Sequence, residues 1–403
     1  MMMAMMLVAS ATAFAGDSDA LKAIMKAKTY ADAEQLLKSN LSQLANNEEK
    51  AKAYNKLVDL AMTKVTKEST IVTENQANAQ LGIDKKKDVD MVGLCDALID
   101  ALNAAAECNK YDQQPNAKGK VAPKFAEKNS MRLWANRQYL ITKGDEYRQS
   151  NEYAKALKYW EPYLDSFEEP LYAAQNHEQE KEAVEQIAYL TAWMAYNQKD
   201  FPAAEKYATV AMKGEKFKDD AQKIKYSAMA GELKTRQDSL TYVERLKAEY
   251  AKDPENETII NNLYNIYGEM KEDKAQKELL EGILAKNPNN FIALANMGVM
   301  HIGNNDYVSA IPFLRRAIGV RSDNPQVYYY LGTSLCITAQ DEKTPDADKK
   351  KMYKEAIEVF DKCKELDPKK EQINWGYNRQ NAYYNFYGPD SAEFKQAEAD
   401  YKN

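Results

Sequence analysis

The chain has few of the residues from which reactive centres are built. Its 403 residues include four cysteines and two histidines. Cys95, Cys108, Cys336 and Cys363 show no zinc-ligand spacing, and with only His177 and His301 to add, no metal site is expected. There is no G-x-S-x-G and no glycine loop for phosphate. His177-Glu178 is not followed by a second histidine at zinc-protease spacing. No catalytic residue and no cofactor are therefore expected. Charge of one sign is also missing: 61 acidic residues stand against 55 basic, a net of −6, interspersed along the chain. Nucleic acid needs a concentrated basic footprint and is not an expected partner. Beyond residue 15 no stretch approaches 18 consecutive apolar residues, so no transmembrane segment is expected in the mature chain.

The scarce cysteines do not suggest disulfides. Cys95 and Cys108 fall on one predicted helix, where a rise of 1.5 Å per residue separates them by about 20 Å, beyond disulfide reach. Cys336 and Cys363 fall on the two helices of one predicted hairpin, more than a turn out of alignment. Small buried thiols are the expectation.

What the chain does have is a period. Ile260, Leu294 and Tyr328 are spaced by 34 residues, as are Leu263, Met297 and Leu331, then Tyr264, Gly298 and Gly332, then Tyr267, His301 and Leu335. Offsets of three, four and seven within each set form one apolar helix stripe, and the small residue admits a neighbouring helix. A single hairpin cannot shield such a stripe, so successive hairpins must stack. Asp253-Pro254, Asn287-Pro288, Asn324-Pro325 and Asp367-Pro368 close helices where proline cannot continue them.

With Ala356, Phe360 and Pro368 following Tyr328, Leu331, Gly332 and Leu335, the pattern resembles the tetratricopeptide repeat (TPR) family. That resemblance implies an all-α fold, a right-handed superhelical α-solenoid of about seven hairpins closed by a C-terminal capping helix pair. Such arrays usually bind other proteins. The expected organisation is a signal peptide over 1–15, divergent hairpins with a long insertion over 16–135, central repeats over 136–255, regular repeats over 256–368 and a cap over 369–403.

Met1 to Ala15 is uncharged and ends Ala13-Phe14-Ala15, an apolar core with A-x-A small residues, the pattern of a secretory signal without its basic n-region. No cysteine follows, so a bacterial lipid anchor is not expected, and the expected location is periplasmic or envelope-associated. Further on, Glu48–Lys67 is predicted as a helix, Glu68–Asp88 as a polar connection, Val89–Asn109 as its partner helix and Tyr111–Val121 as a loop. Hairpins are predicted around Leu140–Trp160 and Glu182–Gly214, and a weaker pair over Asp219–Lys252 broken near Arg236–Ser239. Leu335 and Ala356 are 21 residues apart where His301 and Ala310 are nine apart, so twelve residues are inserted. Asp341 to Asp348 is predicted as a solvated loop, lacking the glycine and distal glutamate of a calcium loop. Trp375, Tyr377, Tyr383, Tyr384, Phe386 and Tyr387 are material for the cap or for an exposed aromatic site.

Asn262 and Asn296 repeat at 34 residues beside Asn261 and Asn265, on helices that in TPR arrays line the concave surface. An asparagine amide both donates and accepts, so a row of them can hold an extended peptide backbone without reading sequence. These asparagines resemble those of peptide-binding TPR proteins. The carboxylate clamp of chaperone-tail receptors is not matched, because Asn261, Gln326 and Tyr330 stand where it has basic residues. Tyr189, Trp193 and Tyr196 form a second candidate patch, with core packing as its alternative. The expected function is a non-catalytic protein-interaction scaffold or adaptor in the bacterial envelope, binding a protein or extended peptide. A glycan-binding helical protein at the outer membrane is the alternative.

Overall fold

The computed structural model describes residues 17–116 and 119–402, and the expected signal peptide lies outside them. All regular structure among the described residues is helical. Two compact units divide the chain after Gly231. The first holds α1 (Asp19–Lys26), α2 (Tyr30–Asn40), α3 (Asn47–Gln80), α4 (Met91–Asp112), α5 (Ala126–Trp134), α6 (Gln138–Gln149), α7 (Tyr153–Phe167), α8 (Lys181–Asn197), α9 (Phe201–Ala211) and α10 (Lys218–Gly231). The second holds α11 (Arg236–Tyr250), α12 (Glu257–Glu269), α13 (Asp273–Lys286), α14 (Phe291–Gly303), α15 (Tyr307–Val320), α16 (Pro325–Gln340), α17 (Asp346–Leu366), α18 (Gly376–Tyr387) and α19 (Ala392–Lys402).

One turn design recurs at four hairpins. Asn151, Lys199, Lys271 and Asn305 each adopt a left-handed backbone with φ of 59–61°. The amide after each reaches back five residues, Glu152 to Tyr147, Asp200 to Ala195, Glu272 to Tyr267 and Asp306 to His301, at 2.8–2.9 Å. This is the Schellman closure of a helix C-terminus. An acidic residue follows at each turn, and Asp200 and Asp306 cap the next helix through the amides of Ala203 and Ser309. Carboxylates suit that position because the helix N-terminus is partially positive.

The small residues of the period sit where helices touch. A Cβ on Gly298 would lie 2.6 Å from Leu314, on Gly332 2.7 Å from Phe360, and on Gly144 2.2 Å from Trp160. Gly144 and Gly298 meet a partner sixteen positions on, and Gly332 one twenty-eight positions on, because the twelve inserted residues lie between. Asp346 to Asp348 form the first turn of α17 instead of a loop. Pro345 before that turn and Asp346 and Asp348 within it favour a helix start, so the insertion lengthens α17 to 21 residues against 14 in α15.

Two other predictions are corrected, and one helix, α5, was not expected. Glu68–Asp88 is not all connection, because α3 runs to Gln80. No glycine or proline interrupts it before Gly82, and residues 83–90 return along it. Asn75 exchanges two hydrogen bonds with the Lys87 backbone at 2.7 and 2.8 Å, Asn78 donates to Lys85 O at 2.8 Å, and buried Glu68 accepts from Asp90 N. Helix α5 had no apolar period to show, since its inward residues are Asn129, Ser130 and Leu133. Asp112 accepts the amides of Lys124, Phe125 and Ala126 at 2.8–3.2 Å and so starts it. The break expected at Arg236–Ser239 falls earlier, since Thr235 and Asp238 form a capping box that opens α11.

Candidate functional site

In the second unit the first helices of successive hairpins, α12, α14, α16 and α18, pack in an unbroken row, whereas the second helices α13, α15 and α17 do not reach that degree of contact with one another. Closer packing on one side curves a hairpin stack, which puts the first helices on the inner side of this unit.

The row is held by asparagine. Asn296 on α14 donates to Asn261 Oδ1 on α12 at 3.0 Å. Asn378 on α18 donates to Tyr329 Oη at 2.9 Å and Thr333 Oγ1 at 3.0 Å on α16. Asn296 thus spends one amide donor on its neighbour and Asn378 two. Asn265, one turn beyond Asn261, is exposed and has no side-chain partner among the described residues. Asn262 is placed differently: its Oδ1 accepts from Tyr242 on α11 at 2.9 Å and its Nδ2 donates to Thr258 O at 2.8 Å. Thus Asn261, Asn265 and Asn296 share the row, and Asn262 serves packing against α11.

The exposed rings of α18 turn to α19: Tyr377 and Tyr384, 61% and 47% exposed, meet Tyr401 and Phe394 edge-on at 5.9 and 5.4 Å. Asn385, two turns beyond Asn378 on the same face of α18, is exposed and donates to Asn381 Oδ1 at 3.0 Å. Tyr264 is half-buried, and burial together with the neighbouring Tyr330 pushes its phenol up. Trp375, by contrast, is in the core, where its Nε1 donates to Asp367 O at 2.7 Å. Arg379 is buried at the base of α18. It donates to Asp361 at 2.6 Å and Asp400 at 2.9 Å, tying α18 to α17 and α19.

The row carries almost no charge. Among Asp, Glu, Lys and Arg, α14 and α16 have none, α12 has Glu257 and Glu269 at its ends, and α18 has only buried Arg379. Charge gathers elsewhere in the unit. Helices α13 and α17 are charged along their length, and an open cleft of about 700 Å³ is lined by Asp273, Lys274, Lys277 and Asp306 together with Tyr264 of α12 and Val299 and His301 of α14. His301 there faces Asp306 at 3.1 Å and stacks on Phe313. Hydrogen bonds from Ser309, then His301, hold the Asp306 carboxyl below its usual value.

In the first unit Tyr189, Trp193 and Tyr196 lie along α8, with Trp193 41% and Tyr196 37% exposed. The core packing considered for them does not occur at these two rings. Trp193 meets Tyr153 edge-on at 5.6 Å, Tyr189 stacks on Phe217 at 4.9 Å, and Tyr196 lies against Phe201. The inward face of α8 is instead Ala188, Thr191, Ala192 and Ala195. His177, a candidate only by scarcity, has its two ring nitrogens 2.9 Å from Gln175 O and 3.0 Å from Phe167 O. Its ring packs on Trp134. Among the described residues no three His, Cys, Asp or Glu side chains gather as a metal site, and no helix is long and apolar enough to cross a membrane.

Sequence reasoning missed Asn378, Tyr329 and Thr333. Inserted residues, and a loop held by Asp367, move α18 off the 34-residue register. Asp367 accepts the amides of Glu371, Gln372 and Ile373, each at 2.9 Å.

Repeat length, turn closure and the close approach at each small residue define the class of fold: an all-α array of hairpins of the tetratricopeptide type. No family model matches the chain, and no curated protein does. Solved structures do. MamA is 17% identical, with 47% of this chain and 94% of MamA covered at a TM-score of 0.31. YrrB, described as a TPR protein with an unusual peptide-binding site, is 16% identical over 48% and 92%, at 0.33. A tetratricopeptide repeat protein from Parabacteroides merdae is 15% identical over 54% and 77%, at 0.31.

Proposed function

We propose that this protein is a non-catalytic interaction scaffold that binds an extended polypeptide along the first-helix row of its second unit, in a bacterial envelope compartment reached after loss of residues 1–15. The observation that carries the binding reading is the row itself, where Asn261 and Asn265 on α12, Asn296 on α14 and Asn378 on α18 place amides, and Tyr329, Tyr330 and Thr333 on α16 place hydroxyls between them. Amides of this kind match the alternating donors and acceptors of a peptide backbone. First helices pack about 9 Å apart and an extended chain advances about 3.3 Å per residue, so one helix serves roughly three residues.

The test is a photo-crosslinking amino acid placed at Asn265 or Asn385, and at Lys274 as an outer control, in native cells. Crosslinks to one discrete protein from the first two positions alone are expected; equal crosslinking from Lys274 would refute the inner-face reading. Export rests on the A-x-A pattern and is tested by N-terminal sequencing of the envelope-fraction protein. A new terminus at Gly16 is expected, and an intact residue 1–15 segment on a cytosolic protein refutes it.

Glycan binding is the second reading, and the exposed rings of Trp193 and Tyr196 favour it. Sugars stack on such faces through their C–H groups. Oligosaccharide binding lost in Trp193→Ala would support it. Trp375, being buried, offers no platform.

A further inference from the structure

The missing charge on the inner row says what kind of polypeptide fits it. In a chain that is 29% charged, α14 and α16 carry none of Asp, Glu, Lys or Arg, and of the three charges on α12 and α18 two are engaged elsewhere, while Glu269 stands at the end of α12. Glu257 pairs with Arg321, and Arg379 is held by Asp361 and Asp400. A ligand side chain bearing charge would lose water here and gain no counter-charge, which costs more than an unmade neutral contact. A neutral amide or hydroxyl finds partners in exposed Asn265 and the half-buried Tyr330 phenol. Tyrosine contributes contact area together with a polar tip.

The geometry points to an uncharged extended segment, rich in Ser, Thr, Asn, Gln, Gly or Tyr and without Lys, Arg, Asp or Glu, as the partner of this face. The inference rests on the inner-row reading above. Its electrostatic consequence is specific: binding that forms no ion pairs is nearly insensitive to salt, whereas recognition of a charged tail weakens as ions screen it. Polypeptide is favoured over neutral glycan because amides on α12, α14 and α18, with the Tyr329 and Thr333 hydroxyls on α16 between them, offer polar partners on every first helix, which an extended backbone can follow at about three residues per helix.

The experiment uses the full chain and fluorescence anisotropy with three probes. They are a pool of neutral peptides about ten residues long, enough to cross the row, the same pool with Lys or Glu at alternate positions, and a linear neutral glucan. Each is titrated at about 20 mM and about 500 mM salt, where the screening length falls from some 20 Å to a few ångströms. Binding of the neutral pool is expected, changing less than about twofold with salt, and the charged pools should bind at least about tenfold weaker, a 1.4 kcal/mol difference. Asn265→Arg and Asn385→Arg, both at exposed positions, should each weaken the neutral pool about tenfold with unchanged helicity and melting.

Charged peptides that bind as tightly or tighter, and are lost in the same two variants, would overturn the neutrality while leaving the face in place. Peptide binding indifferent to both variants would overturn the inner-row reading itself. Binding of the glucan alone, lost in those variants, would overturn the choice of polypeptide. No binding of any probe would overturn the inference that backbone and neutral side chains suffice.

Discussion

Two glycine substitutions separate packing from helix propensity. Gly332 lies inside α16, where a Cβ would come within 2.7, 2.8 and 2.9 Å of the Phe360 ring atoms Cζ, Cε2 and Cε1. Phe360 is fully buried. Gly282 lies inside α13, is exposed, and a Cβ there would meet nothing within 4 Å. Alanine gains about 1 kcal/mol over glycine in a helix interior at either position. At Gly332 the ring must also retreat about 1 Å to restore an ordinary carbon contact of about 3.5–4.0 Å, and overpacking a filled core costs about 1–3 kcal/mol. Propensity cancels in the comparison, so Gly332→Ala should be less stable than Gly282→Ala by about 1–3 kcal/mol. Gly282→Ala alone should exceed the native chain by about 0.5–1 kcal/mol.

Urea unfolding followed by far-UV circular dichroism reads both, with slope and midpoint compared separately because a repeat array need not unfold in one step. Shrinking the ring provides a control: Phe360→Leu should relieve the clash, so the pair Gly332→Ala with Phe360→Leu should couple by about 1 kcal/mol or more. If Gly332→Ala stabilises as much as Gly282→Ala, and the double variant is additive, the close approach does not limit the hairpin of α16 and α17 and the packing argument fails.

Acid should act through Asp367. Burial alone would raise its carboxyl, but three backbone amides more than offset this, so the folded value lies below the ordinary 3.8. The stability it contributes is therefore fully present above pH 3.8 and is lost as pH falls through the lower folded value. Asp367→Asn should cost about 1–2 kcal/mol at neutral pH and flatten the acid limb of urea midpoints; parallel acid limbs in the two proteins would refute this. The segment carrying Lys85, Lys86 and Lys87 is held to α3 by Asn75 and Asn78, so the double alanine variant should be cut there by trypsin about tenfold faster through local opening. Equal cleavage would show that those bonds do not hold the segment. All four thiols are buried and pushed up to about 12 by burial. Native protein should react with a thiol reagent at least about 100-fold more slowly than unfolded protein, and prompt stoichiometric labelling would contradict their burial.

What could be read from the sequence depended on whether packing had to repeat. Gly298 against Leu314 and Gly332 against Phe360 make the same contact in successive hairpins, so the 34-residue register was visible and the inserted residues could be counted. Far along α3 no apolar stripe is buried, and in α5 the inward residues are mostly polar, so neither helix left a hydrophobic period to find. In α8 the period was present but its phase was misleading. Alanines at 188, 192 and 195 fill the tight inner side, while Trp193 and Tyr196, large enough to suggest a core, stand outside.

The asparagines show the same limit at the site. The interval pairs Asn262 with Asn296, yet the hydrogen bond joins Asn296 to Asn261, and Asn262 turns to Tyr242. One residue along a helix is a rotation of about 100°, so two adjacent asparagines face different neighbours although both satisfy the spacing. A repeat therefore specifies which turn of each helix meets the next hairpin. The side of that turn left uncovered is set by helix placement, which explains why Asn265 and Asn378 become recognisable together only when α12 and α18 are seen as members of one row.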